Sequence, residues 1–77
     1  MAKNLIPGDV LLLEREIASL PYETGIFVLC ALTRSQAVVA LVCADDQGLY
    51  AIDNHYTMSV EDFGAFTHLG QRARIKK

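Results

Sequence analysis

The sequence is poor in the residues and spacings that carry recognisable chemistry. Two cysteines allow at most one disulfide, and without a Cys-x-x-Cys pair, a His pair at helical spacing or a spaced Asp loop there is no metal motif. None of the five glycines stands in a G-x-G-x-x-G or Walker-type setting, so nothing predicts a phosphate cradle, and no cofactor is expected. Positive charge is scarce over most of the chain: residues 1–71 hold three basic side chains (Lys3, Arg15, Arg34) against nine acidic ones, a net −6. That balance argues against a broad nucleic-acid surface, which needs a patch or stripe of Lys and Arg. The opening Met1-Ala2-Lys3-Asn4 lacks an apolar secretory core, which predicts a reducing cytoplasm. The 19-residue apolar stretch from Ile26 to Ala44 is interrupted by Arg34-Ser35-Gln36, which reads as a turn and not as the middle of a membrane helix.

What the sequence does contain is apolar material in short runs. With 52% hydrophobic and 21% charged residues, 77 residues suffice for one domain with one core, 1–77. Residues 1–8 form a leading segment and 72–77 a basic terminal strand or tail. Pro7-Gly8-Asp9 delivers the chain into a first strand, Val10 to Leu13, and Ser19 to Gly25 form a connecting loop. Ile26 to Thr33 and Ala37 to Ala44 are β-branched-rich runs around a polar gap, the pattern of a hairpin. Asp45-Asp46-Gln47-Gly48 is a turn with glycine where a left-handed conformation is needed, and Leu49 to Asp53 is a fourth strand. Ser59 and Asp62 resemble a capping box, and Met58 and Phe63 a hydrophobic staple. Val60, Phe63, Phe66 and Leu69 then share a helical face, so a short helix from Ser59 to about Phe66 is predicted, with Gly70 ending the helical pattern and a last strand from Gln71 to Lys76. The fold expected is mainly β: a small, partly open, five-stranded antiparallel barrel or curled sheet with Src-homology-3-like element order and one short helix before the last strand. A three- or four-stranded sheet with the helix on one face is the nearest competitor. Element order alone carries no function.

The hairpin has no polar face. With a two-residue Ser35-Gln36 loop, Val28, Cys30, Leu32, Val39, Leu41 and Cys43 share one face, joined by Tyr50 and Ile52, and read as the core. Phe27, Leu29, Ala31, Val38, Ala40, Val42 and Ala44 share the other, richer in alanine. A sheet wetted on one side should alternate apolar and polar residues. The second face is therefore predicted to meet the helix, to be buried by barrel curvature, or to contact a second chain; Phe27, Leu29, Ala31, Val38, Ala40, Val42 and Tyr56 are the candidate interaction surface. The expectation is a non-enzymatic protein–protein interaction module, an adaptor or inhibitor that forms a homo-oligomer or binds a protein partner. No small-molecule substrate is indicated.

Two other readings compete. Arg72, Arg74, Lys76 and Lys77 would be the phosphate or acidic-partner contacts of a nucleic-acid-binding barrel, with Tyr50 or Tyr56 as stacking platforms. Their alternation with Ala73 and Ile75 also describes a solvated edge strand. Cys30 or Cys43 with His55 and Asp53 would be the elements of a small hydrolase, although a pair of core thiols beside a polar connection accounts for the same residues.

Overall fold

The computed structural model describes residues 5–75, apart from the side chains of residues 53 and 54. Six strands form one sheet: β1 (Asp9–Leu13), β2 (Gly25–Leu32), β3 (Gln36–Asp45), β4 (Gly48–Ser59), β5 (Phe66–Arg72) and β6 (Arg74–Ile75). Their spatial order is β5-β1-β2-β3-β4-β6, and the sheet has two ends instead of closing on itself. All pairings are antiparallel except β4 with β6, which run parallel. The expected five-stranded antiparallel arrangement is corrected on this point. The predicted last strand is two strands, which a break at Ala73 places at opposite ends of the sheet.

One boundary and one helix type depart from the sequence pattern for identifiable reasons. Strand β4 runs on to Ser59, because Tyr56 and Met58 alternate with His55 and Thr57 and pair with Val39, Ala37, Ala40 and Val38 of β3. The helix is a 3₁₀ helix, Val60–Ala65, capped by Ser59, whose hydroxyl accepts the Glu61 N–H at 3.2 Å. Val60, Phe63 and Phe66 are spaced by three, the period of a 3₁₀ helix, and such helices are short. Phe66 ends it and begins β5, so Leu69 lies on a strand, and Gly70, with φ of +79°, is a kink within that strand.

The hairpin is where packing and prediction diverge most. Its loop is Thr33–Ser35, with the Thr33 N–H donating to the Gln36 carbonyl at 2.9 Å. Near the tip Leu32 faces Ala37 and Ala31 faces Val38, but from Leu29 on the register steps by one, with Leu29 opposite Val39 and Phe27 opposite Leu41. Cys30 is the extra residue of a β-bulge. A one-residue step exchanges the faces of one strand relative to the other.

Phe27 and Leu29 consequently enter the main core. They lie with Leu11 and Leu13 of β1, Ala37 and Val39 of β3, Met58 of β4, and with Leu20 and Ala65 closing the ends. Tyr22 and Phe66 meet the Phe27 ring edge-on at 5.8 and 6.1 Å between centroids. On the opposite face Val28, Ala40 and Ala51 form a second, smaller cluster, against which Cys30, Val42 and Ala73 pack. Both faces of the central sheet are thus apolar and both carry buried residues within one chain. The helix helps to close the main core through Ala65, whereas Ala73, between β5 and β6, packs on the second cluster.

Candidate interaction surface

The residues assigned to a contact face do not stay together. Phe27, Leu29 and Ala40 are fully buried inside the chain, which corrects their assignment to a contact surface: the Cys30 bulge turns the first two inward, and the second cluster takes the third. Val38 and Val42 are half-buried and Ala31 is exposed. Tyr56 packs against the main core, its hydroxyl 3.0 Å from that of Tyr22 and its ring edge-on to the Tyr22 ring. That hydrogen bond first, then desolvation and the neighbouring phenol, raise the Tyr56 pKa above the usual tyrosine value. A group with a raised folded-state pKa contributes stability below its unfolded value and loses it as pH rises through the folded one. The fold should therefore lose this contribution at pH above about 10. A titration of phenolate absorbance should show late ionisation of Tyr56, and Tyr22→Phe should bring it back towards the ordinary value.

The basic tail is engaged with the acidic body. Arg72 donates from Nη1 to Asp9 Oδ1 at 2.8 Å and from Nη2 to the Pro7 carbonyl at 3.0 Å. Asp9, only 5% exposed, also accepts the Ile6 N–H at 2.9 Å, and His68 Nε2 stands 3.6 Å from its Oδ2. Gly8 makes this closeness feasible: its φ is +101°, and a Cβ there would lie 2.8 Å from Arg72 Nη2. Arg74 donates from Nη2 to Asp45 Oδ1 at 2.5 Å and from Nη1 to Gln47 Oε1 at 3.1 Å, and its guanidinium lies 5.6 Å from the Tyr50 ring centroid. Both arginines offered as phosphate contacts thus make intramolecular ion pairs. Lys76 and Lys77 lie outside the described residues.

The elements of the hydrolase reading are dispersed. His55 is exposed on β4 opposite Ala40, and Cys30 is on β2, with β3 between them. Two strand spacings amount to about 9 Å, beyond hydrogen-bond reach. Cys43 faces Tyr50, further along the β3–β4 ladder, and both thiols are free. Burial raises the Cys30 pKa, the opposite of what activates a thiol. The side chain of Asp53 lies outside the description. Among the described residues no three His, Cys, Asp or Glu side chains gather as a metal site, and no helix is long and apolar enough to cross a membrane.

What the fold leaves accessible is an edge. Strand β5 stands at one end of the sheet, pairs with β1, and exposes six of its seven residues, including Leu69 at 37%. Leu69 continues the helical spacing of Val60, Phe63 and Phe66 but lies beyond the helix expected to end at about Phe66. Thr67-His68-Leu69-Gly70-Gln71 has no apolar–polar alternation, so periodicity carried no signal for a strand there. Ile26 and Leu32 of β2 are further exposed apolar side chains, at 42% and 38%. Set against family models, curated proteins and solved structures, the chain matches none.

Proposed function

We propose that this chain is a non-catalytic protein–protein interaction module that self-associates, and that the outer edge of β5 is its contact. The observation that carries this reading is the terminal position of a seven-residue strand with six exposed residues. An edge strand presents backbone N–H and C=O groups to a partner strand, and pairing there supplies main-chain hydrogen bonds with side-chain pockets for selectivity. Leu69 adds apolar area at the middle of that edge. The order of five strands with a 3₁₀ turn before the fifth supports the Src-homology-3-like description, with β6 as an addition to it. We place the protein in the cytoplasm as an adaptor or inhibitor, a reading supported by the two free thiols and the acidic body.

A charge on the edge tests the contact. Leu69→Lys should convert an associated species into a monomer without altering the far-ultraviolet circular dichroism, because a lysine on an edge strand opposes strand addition while leaving the β1 pairing intact. Leu32→Lys, at a comparably exposed position on β2, should leave association unchanged. If Leu32→Lys dissociates the chain and Leu69→Lys does not, the contact lies on the sheet and not on its edge.

A further inference from the structure

The basic C-terminal segment is the sequence feature left without a role by an edge contact at β5. Its placement is specific. After Arg72 the chain leaves the β1 side of the sheet; the Ala73 N–H donates to the Gly8 carbonyl at 2.8 Å, and Arg74–Ile75 then run parallel beside Tyr50 and Ala51 of β4. Ala73 packs on the Val28–Ala40–Ala51 cluster, which is the apolar second face of the central sheet.

We infer that residues 73–75, beyond the Arg72–Asp9 anchor, form an intramolecular strap that opens separately from the rest of the fold and, when open, bares the second apolar face. Three observations carry this. The strap's own strand is two residues long, so few ladder bonds hold it. Its far end is fixed by Arg74 on Asp45, a surface pair with both side chains more than a third exposed, which gives little net stability and weakens with salt. Arg74 Nε is buried with no hydrogen-bond partner among the described residues, so the closed state leaves one polar group unmatched. By contrast, the main core lies under β1 to β4 and is independent of these contacts. Local opening with a free energy below that of global unfolding is the behaviour such a segment should show. The device is a cover over an alanine-rich face: a change in ionic strength, or an anionic group competing for Arg74, shifts it towards the open form. The inference concerns one chain and is independent of any contact made by β5.

Native-state amide exchange in the full chain, read by NMR, tests it. The Ala73 amide should exchange at least tenfold faster than the Val39 amide, and its rate should rise with salt while that of Val39 does not. Arg74→Gln should accelerate Ala73 about tenfold further and leave Val39 unchanged. Equal exchange free energies for Ala73 and Val39 in both proteins, insensitive to salt, would overturn the strap, since the segment would then open only with the whole domain. If Arg74→Gln lowers global stability, Ala73 and Val39 accelerate by the same factor, and that outcome also counts against it.

Discussion

Phe27→Ala should unfold the domain or leave it marginal, with a loss of about 3–5 kcal/mol. The ring is fully buried between Tyr22 and Phe66 and lies beside Leu11, Leu13 and Leu29. Stability for a chain of this length is about 4–12 kcal/mol, so one such truncation removes about a quarter of it or more. The instructive comparison is Leu32→Ala. On a two-residue hairpin loop Leu32 belongs to the core and Phe27 to a contact face. In the folded chain the bulge at Cys30 reverses Phe27, and Leu32 is left 38% exposed near the tip. Leu32→Ala should therefore cost less than about 1 kcal/mol. Urea denaturation of both variants checks the pair, and a larger loss at Leu32 than at Phe27 would mean that the register is wrong.

The second large effect is expected at Asp9. Its carboxylate is nearly sequestered from water and holds three strangers together: the Ile6 N–H, the Arg72 guanidinium and, at longer range, His68. Asp9→Ala should cost about 2–3 kcal/mol, the scale of hydrogen bonds to a charged group. Arg72 is more than half exposed, so water replaces part of what it loses, and a full buried-pair penalty does not apply. Asp46→Ala, at an exposed carboxylate on the β3–β4 turn, should stay within about 0.5 kcal/mol. A double-mutant cycle with Arg72→Ala should show coupling between Asp9 and Arg72, because the two share one contact.

These positions show what the sequence made legible. The first three strands were readable from apolar runs and punctuation, and the left-handed glycine of the second turn is in place, with Gly48 at φ +113° and Gln47 N–H on Asp45 Oδ1. The absence of a polar face on the hairpin was readable as well; Val28, Ala40 and Ala51 cover the second face, Val28 being moved there from the expected core face by the Cys30 bulge. The bulge was hidden because an extra residue in a run of apolar residues changes no composition, yet it decides which half of the run is core. The helix lies where the sequence placed it, and only its type was hidden, because Val60, Phe63 and Phe66 satisfy an α-helical face and a 3₁₀ spacing equally well over so short a span. The link between Asp9 and Arg72 joins positions 63 apart in the chain. Charge counts could show that the tail was basic and the body acidic, but not that each arginine would find its own carboxylate. The candidate surface moved from sheet face to sheet edge for the same reason: the face residues were identified correctly as apolar, and the chain uses several of them for itself.

The mass of the unmodified chain in solution tests the interaction reading most directly. Sedimentation equilibrium from low to high micromolar concentration should give a dimer or a higher species, with an average mass that falls on dilution. A single species of 8.5 kDa across that range would contradict it, leaving a monomeric domain whose exposed edge serves a different partner.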